Sequence, residues 1–190
     1  MTAVIAGLYV CSDSTSFVSE RRPTVTVVPN GFEGDKHATW TRAADSRAKS
    51  YPRGTTIWNS RQLSIVSEEE LAEIAAALGL PDITPEQLGA NICTRGLPAL
   101  THLASGTQLL VGDVGLYVTA LNKPCINPGK VIEAHHPDIP NLANRFVKAA
   151  HDRRGVVAVV ERPGTIREGA AITLVAPASP LQPGVARDPA

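Results

Sequence analysis

Cys125 is the residue of this sequence whose neighbours best suit covalent or metal chemistry. It follows Pro124, which fixes the backbone φ angle just ahead of the thiol, and Lys123 lies two positions before it. A lysine that converges on a thiol favours the thiolate, which is a nucleophile, a sulfur acceptor and a soft metal ligand. The alternative is a buried, inert cysteine, which is the usual state of a free thiol.

The cysteine pattern favours one functional thiol over a disulfide or zinc framework. The chain contains three cysteines, an odd number, and they lie far apart in sequence. Cys11 ends an apolar run and Cys93 follows Ile92, so we predict that both are buried and unreactive. Cys125 is therefore the candidate nucleophile and the candidate metal ligand.

A second group of chemical residues lies in the segment GFEGDKH, residues 31–37. Its two glycines permit a tight turn that exposes backbone N–H groups beside an acid, an amine and an imidazole. Asp35, Lys36 and His37 could then bind an anion or a cofactor, with His37 as a general acid or base. The alternative is a connecting loop with solvated charges.

Further polar residues are candidates for ligand binding. Asn91, in the segment LGANI, could hydrogen-bond the edge of a heterocycle, or it could cap a turn. Arg154 lies at a predicted helix end, where it could bind a phosphate or complement the helix dipole. The adjacent His135 and His136 point in different directions in regular structure, so we interpret them as solvated. Basic residues also precede the first helix, at Arg42, Arg47, Lys49, Arg53 and Arg61.

Short apolar runs rich in β-branched residues predict a mainly β fold. They cover residues 4–10, 24–28, 62–66, 108–111, 115–120, 156–160 and 171–175, and Gly, Pro, Asn and Asp separate them. Strands at such irregular spacing favour a barrel or a sandwich. If barrel loops meet at one end, we expect Asp35, His37, Arg61, Asn91 and Arg154 to line one cleft with Cys125.

Two helices should interrupt these strands. Ser67 followed by Glu70 predicts a capping box, and Leu71, Ile74 and Leu78 form an apolar face that ends before Gly79. A second helix is predicted over residues 139–151. Residues 40–59 form a basic stretch without a pattern, which predicts a functional loop or partial disorder. The sequence thus predicts one domain over residues 1–176 and a disordered Pro- and Ala-rich tail over residues 177–190.

Charge and hydropathy restrict the partners that we expect. Lys plus Arg and Asp plus Glu number 18 each, so no overall field attracts nucleic acid or a membrane surface. No apolar run approaches the roughly 20 residues of a membrane span, and the first residues carry no basic segment typical of a signal peptide. We therefore predict a cytoplasmic protein that acts on a small molecule.

In their order along the chain, these segments resemble the MOSC domain, named for the C-terminal part of molybdenum cofactor sulfurases. The resemblance rests on GFEGDKH, RQLSIVSEEEL, LGANI, GTQLLVGDVGLYVT, PC, RGVVAVV and GTIREG, and it extends to about residue 175. One departure is Gly169-Ala170, where the family often has Gly-Asp before the last strand. This acid belongs to turn geometry, so the departure leaves the cysteine argument intact.

The resemblance implies a closed, Greek-key-like β-barrel with peripheral helices. It implies that Cys125 ligates molybdenum or bears a transferred sulfur. Small free-standing bacterial members resemble reductases of N-hydroxylated bases that use the molybdenum cofactor and a separate reductase. In that case Asp35, Lys36, Arg61, Asn91, Lys123 and Arg154 are the candidate residues for binding the cofactor.

Two other functions remain open at the level of sequence. Cys125 could act as a metal-free thiolate in sulfur transfer or in cleavage of a C–S bond, with His37 as general acid or base. The chain could also be a carrier of sulfur or cofactor without turnover. We expect no pyridoxal phosphate site in 190 residues and find no ferredoxin-like cysteine cluster in the sequence, so a partner that supplies sulfur or electrons, or a different chemistry, is required.

Overall fold

The apolar alternation of the sequence produces a mainly β protein with three helices in the part that the computed structural model describes, residues 2–177. The helices are α1 (Glu68–Leu78), α2 (Ile126–His135) and α3 (Leu142–Ala149). The strands are β1 (Val4–Val10), β2 (Glu20–Arg22), β3 (Thr24–Val28), β4 (Gly31–Phe32), β5 (Thr41–Ala43), β6 (Thr56–Trp58), β7 (Leu63–Ser67), β8 (Ile92–Arg95), β9 (Gln108–Val111), β10 (Val114–Leu121), β11 (Val156–Arg162), β12 (Gly164–Arg167) and β13 (Thr173–Val175).

Eight of these strands form one strongly curled sheet, in the order β13-β9-β10-β11-β7-β8-β1-β2. Neighbouring strands are antiparallel except for the parallel pair β7 and β8. Strands β12, β3 and β4 form a smaller antiparallel sheet, and β5 pairs with β6 as a hairpin. The prediction of a mainly β fold with few helices is confirmed.

The large sheet is a half-barrel, so the expected closed barrel is wrong. The strands β2 and β13 stand at the two ends of the strand order and do not pair with each other. Near this opening, β1 meets the segment before β13 through an isolated bridge between Val4 and Ala171. Backbone hydrogen bonds of Ile5 with Gly169 and Ala170 support the bridge, but they do not form a continuous ladder.

Two apolar clusters stabilise this arrangement. The first joins the large sheet to the three-stranded sheet and includes the fully buried Phe32, Ile65 and Leu116. The second lies between the helices and the strands β1, β7 and β8, and it includes Ile74 and Phe146. The helices therefore cover one side of the sheet region that carries β7 and β8.

The first predicted helix is confirmed. Ser67 caps α1 by accepting the backbone N–H of Glu70 at 3.2 Å, and Gly79 ends the helix with φ of 73°. The Glu70 carboxylate does not complete the capping box, because it accepts from the N–H and the hydroxyl of Thr101 at 2.8 and 2.7 Å. This contact ties α1 to the turn that follows β8.

Elsewhere the predicted bounds need correction. Each predicted strand run overlaps a strand, but β2, β4, β5, β6, β8 and β12 were not predicted because they are short. The second predicted helix is shorter than residues 139–151, and α2 was not predicted at all. Residues 40–59 contain the hairpin of β5 and β6. The predicted tail lies outside the described residues except for Pro177.

Candidate functional site

A cavity of about 520 Å³ gathers polar residues from the ends of several strands. The loop after β4, the hairpin of β5 and β6 and the start of β7 form one part of its walls. The loop before β8, the end of β10, the start of α2 and Arg154 form the rest. The structure brings together seven of the predicted site residues in its lining: Lys36, His37, Arg61, Asn91, Lys123, Cys125 and Arg154. Asp35 is buried behind this wall.

Cys125 enters the cavity as the residue that precedes α2. Its backbone is extended, with φ of −137°, and its thiol is partly exposed and makes no capping hydrogen bond. The positive end of the helix dipole lies at this point and favours negative charge. Cys11 and Cys93, in contrast, are 4% and 2% exposed, and burial raises the pKa of the Cys93 thiol to about 12. Among the three thiols, Cys125 is thus the accessible one.

A close helix contact fixes where α2 begins. Gly129 packs against α3 so tightly that a Cβ atom there would lie 2.5 Å from the carbonyl oxygen of Ala143. Pro128 occupies the first helical turn, where a backbone N–H would have no intrahelical partner. Helix α2 was not predicted because its sequence contains Pro128 and Gly129. Both residues are compatible with the helix, and their packing positions Cys125.

Two guanidinium groups lie in the same cavity as Cys125, and one of them is buried while the other is partly buried. Arg154 is 5% exposed and donates to the carbonyl oxygen of Leu88 at 2.7 Å. Arg61 donates to Oδ1 of Asn122 at 2.7 Å. Within residues 2–177 neither arginine forms a salt bridge with a carboxylate. Both arginines thus bring positive charge into the cavity without a paired acid.

Burial lowers the pKa of both guanidinium groups to about 10. For Arg61 the charges of Arg47 and Arg42 lower it further, and for Arg154 the charge of Arg61 does the same. Both groups remain cationic at neutral pH. Because an unpaired buried charge is costly, this arrangement suits an anionic ligand that pairs with the arginines.

Neutral side chains form a polar network between these arginines. Asn122 donates from Nδ2 to the Ser64 hydroxyl at 3.0 Å, and Arg154 lies 3.4 Å from the same oxygen. Asn122 and Ser64 thus link the two guanidinium groups. Sequence analysis missed Asn122, which follows a strand directly and has no motif of its own. Gly155, the residue after Arg154, packs closely against β7, because a Cβ atom on Gly155 would lie 1.9 Å from the carbonyl oxygen of Ile65. This close approach positions Arg154.

Asp35 holds a second polar group together behind the cavity wall. Its Oδ2 accepts the backbone N–H of Cys11 and the Nδ2 group of Asn91, both at 2.9 Å. Its Oδ1 accepts the backbone N–H of His37 at 2.8 Å and lies 3.0 Å from His37 Nδ1. Burial alone raises the pKa of Asp35, but the hydrogen bonds from His37 and Cys11 outweigh it, so the pKa is lowered overall.

The contacts of Asn91 restrict its role. Its Oδ1 accepts the backbone N–H of Ser64 at 3.0 Å, and its Nδ2 group is used by Asp35 and by the carbonyl oxygen of Tyr9. Its amide is therefore occupied by the protein, although the residue lines the cavity. The contacts that we predicted for Asp35 and Asn91 with a cofactor are better described as positioning contacts within the wall.

The remaining predicted cations lie near the rim. Lys36 donates to the carbonyl oxygen of Ser16, and its ammonium lies 5.8 Å from the centre of the Phe17 ring. Lys123 is exposed, and its carbonyl oxygen lies 3.5 Å from an Nη atom of Arg47. These lysines add charge to the rim, while the deeper charges come from Arg61 and Arg154.

In the part of the chain that the structure describes, Cys125 does not belong to a cluster of three or more metal-ligating side chains. Within residues 2–177, no three His, Cys, Asp or Glu side chains lie close enough to hold a metal ion together. His135 is exposed and uses Nδ1 to contact the carbonyl oxygen of Val131 at 2.7 Å. A metal bound by Cys125 would thus find at most one further His, Cys, Asp or Glu ligand among these residues. None of the described helices is long and apolar enough to cross a membrane.

Comparison with known proteins gives a close bacterial relative. The chain is 44% identical over 170 residues to YuaD of Bacillus subtilis strain 168, across 89% of this chain and 88% of that protein. That relative is known as "Putative metal-sulfur cluster biosynthesis proteins YuaD". The crystal structure of Bacillus subtilis YuaD has a TM-score of 0.88 at 43% identity, and the match covers 92% of this chain and 96% of that chain.

More distant structures share the fold. YiiM of Escherichia coli has a TM-score of 0.61 at 18% identity, with 95% of this chain and 73% of that chain covered. YiiM of Geobacillus stearothermophilus has a TM-score of 0.61 at 16% identity, with 91% and 75% covered. The MOSC domain model matches residues 52–173, which is more than half of the chain and includes Arg61, Cys125 and Arg154. The chain therefore belongs to the MOSC domain family.

Proposed function

We propose that the protein binds the molybdenum cofactor in the cavity and reduces a small N-hydroxylated or related substrate. The observation that carries this proposal is the pair of guanidinium groups, the buried Arg154 and the partly buried Arg61, in the cavity that also holds the accessible thiol of Cys125. Thiolate is a ligand for soft, sulfur-rich metal centres, and arginine is the preferred partner of phosphate. One cavity thus offers a thiolate ligand for the metal of the cofactor and guanidinium groups for its phosphate.

The dimensions and chemistry of the cavity fit such a group. Its volume of about 520 Å³ lies in the range of roughly 300–1,000 Å³ that is typical of small-molecule and cofactor sites. Arg61 and Arg154 would hold the phosphate, and Cys125 would be the protein ligand of the metal. When bound, the cofactor would supply a metal that changes oxidation state by two electrons.

The residues around the cavity provide proton transfer and orientation. Asp35 carries a lowered pKa and is ionised at neutral pH, so His37 Nδ1 bears the proton of their contact. His37 Nε2 has no hydrogen-bond partner among residues 2–177, so the doubly protonated ring would be free to give its Nε2 proton to a leaving oxygen. Reduction of an N–OH group to N–H consumes two electrons and two protons and releases water. We include a separate reductase in the proposal as the electron donor.

A second function is favoured by the same histidine. His37 and Cys125 line one cavity, and a histidine oriented by a buried carboxylate is a typical general base. In a metal-free reaction, the Cys125 thiolate would take the outer sulfur of a persulfide on a separate donor protein, whose own thiolate would leave, or it would help to cleave a C–S bond. The name of YuaD, which refers to metal-sulfur clusters, agrees with either chemistry.

Metal analysis separates the two functions. The full chain is purified from a host that makes the molybdenum cofactor, and its molybdenum content is compared with that of Arg61→Ala. We expect near-stoichiometric molybdenum in the unaltered protein and a clear loss in the variant. A protein without molybdenum whose Cys125 still reacts would support the metal-free function instead.

A further inference from the structure

The hairpin of β5 and β6 brings a second group of charges to the cavity. Arg42, Asp45 and Arg47 all line it. Arg47 Nη1 lies 3.1 Å from Asp45 Oδ2, and Arg42 Nη1 lies 3.6 Å from Asp45 Oδ1. Two guanidinium groups thus share one carboxylate, so this part of the wall keeps a positive charge.

Arg42 also has a hydrogen-bond donor that the described residues leave unused. Its Nε atom is buried and has no partner within residues 2–177. A buried donor without an acceptor costs about 1–3 kcal/mol, and native proteins contain few of them. The Arg42 guanidinium, which lines the cavity, therefore keeps unused hydrogen-bonding capacity.

The cavity carries more positive charge than one phosphate needs. Six cationic side chains and one carboxylate line it, in a protein whose overall formal charge is zero. A phosphate monoester brings about two negative charges at neutral pH. The charges of Arg47 and Arg42 also repel Arg61 strongly enough to lower its pKa. One anion bound at Arg61 and Arg154 would therefore leave the hairpin arginines unneutralised.

The two arginine pairs are held by different parts of the fold. Arg61 and Arg154 are fixed by Asn122, Ser64 and the carbonyl oxygen of Leu88. The hairpin pair is fixed by Asp45, by the carbonyl oxygen of Ala43 and, more weakly, by that of Lys123. The second pair thus has its own hydrogen-bond partners, although its charges still act on Arg61.

We infer that Arg42 and Arg47 form a second anion subsite, which binds an oxyanion group, carboxylate or phosphate, on the small substrate. The subsite deepens the proposed function, since it assumes that the deeper pair serves the cofactor, and it restricts the substrate class to anions. Asp45 lies between the two guanidinium groups and holds them in place. Because it balances only one of their two charges, one net positive charge remains for the oxyanion of the substrate.

The rate at which Cys125 is alkylated tests this subsite without any cofactor. Iodoacetate and iodoacetamide have almost the same size, but only iodoacetate carries a carboxylate. The full chain, made in a host without the cofactor, is treated with each reagent, and peptide mass spectrometry follows the modification of Cys125. The ratio of the two rates is then divided by the same ratio for free glutathione.

We expect this normalised ratio to be about 10 or more, as in other clefts lined by one sign of charge. Arg42→Gln and Arg47→Gln should each lower it about three- to tenfold, while the rate with iodoacetamide stays within twofold. Arg53→Gln is the matched control, because Arg53 is exposed on the same hairpin and does not line the cavity. An unchanged ratio in both cavity variants overturns the subsite.

Two further arms identify the anion and separate the proposals. Protection of Cys125 against iodoacetamide is compared for inorganic phosphate, benzoate and neutral benzamide. The anion that protects Cys125 more strongly identifies the oxyanion that the subsite prefers. Equal protection by benzamide overturns the inference. Molybdenum content is measured in Arg42→Gln and Arg47→Gln from a cofactor-competent host. A loss of molybdenum there assigns these arginines to the cofactor and overturns the substrate role. If the unaltered protein lacks molybdenum while the ratio still falls in the variants, the cofactor proposal fails and the anion subsite stands.

Discussion

Asp35 fixes His37 through a single carboxylate oxygen, because Oδ1 accepts the backbone N–H of His37 at 2.8 Å and lies 3.0 Å from Nδ1 of its imidazole. The other oxygen accepts from Cys11 and Asn91. The imidazole is thus tied to β1 and to the loop before β8 through one buried acid. The orientation of a residue at the cavity therefore depends on a side chain that a ligand does not reach.

We predict that Asp35→Asn destabilises the protein at neutral pH by about 1–3 kcal/mol. The amide N–H groups of the new asparagine would face N–H groups that now donate hydrogen bonds to the Asp35 carboxylate. The pKa of Asp35 is lowered on folding, so its contribution is complete above the unfolded value near 4. It is lost as the pH falls through the lower folded value. Denaturant unfolding of both proteins between pH 7 and pH 3 should show their free energies of unfolding converge.

Asp82→Asn is the control for this experiment, since Asp82 is exposed. It should change the free energy of unfolding by less than about 0.5 kcal/mol at every pH. A constant difference between Asp35→Asn and the unaltered protein across the range would contradict the account of Asp35.

Cys125 should be the only thiol that activity requires. We predict that Cys125→Ser abolishes turnover or sulfur loading and changes the melting temperature little, because the side chain is partly exposed and forms no capping bond. Cys11→Ala and Cys93→Ala should keep activity, although both sites are buried and the melting temperature should fall. Full activity of Cys125→Ser in every assay would refute the thiol chemistry.

The packing of α2 against α3 should control Cys125 indirectly. In Gly129→Ala the added methyl group would lie 2.5 Å from the Ala143 carbonyl oxygen, so α2 must shift. We predict a loss of about 1–3 kcal/mol in the free energy of unfolding and slower alkylation of Cys125 by iodoacetamide. Lys130→Ala, at the exposed next position, should change neither. Unaltered alkylation in a destabilised Gly129→Ala would mean that this contact supports the fold alone.

Removal of a buried guanidinium should weaken the anion site. We predict that Arg61→Ala lowers affinity for the phosphate-bearing cofactor about 10- to 150-fold, the range for one charge-assisted contact of about 1.5–3 kcal/mol. Arg154→Ala should behave similarly, with an added loss of stability because the Leu88 carbonyl oxygen loses its donor. Arg153→Ala is the control, since Arg153 is exposed and pairs with Glu73 outside the cavity. Equal cofactor content in all three variants would argue against the assignment.

The sequence predicted those parts of the fold in which local chemistry decides the structure. Ser67 and Gly79 mark the ends of α1 correctly, because capping depends on residues within one turn. The helix α2 was missed because Pro128 and Gly129 normally oppose a helix, and only the contact with α3 explains them. The half-barrel could not be distinguished from a closed barrel, since this depends on pairing between β1 and residues about 170 positions away.

The prediction of the site was limited in the same way, because its residue types are visible in the sequence and its long-range contacts are not. Arg61, Arg154 and Cys125 were recognised by residue type, and the structure brings them into one cavity. The burial of Asp35 and the full use of the Asn91 amide depend on contacts across 24 to 82 positions, which a single sequence does not show. Residue type therefore predicted residues that share one cavity, but not which of their polar groups are already used by the protein.

The central claim, that Cys125 is the protein ligand of a molybdenum cofactor, is tested most directly by comparing molybdenum with thiol protection in the same sample. Protein from a cofactor-competent host is analysed for molybdenum per chain, and the fraction of Cys125 that resists alkylation is measured by peptide mass spectrometry. The account predicts that the two values agree across preparations with different loading, and that Cys125→Ser contains little molybdenum. Stoichiometric molybdenum with a fully reactive Cys125, or an unchanged content in Cys125→Ser, would contradict it.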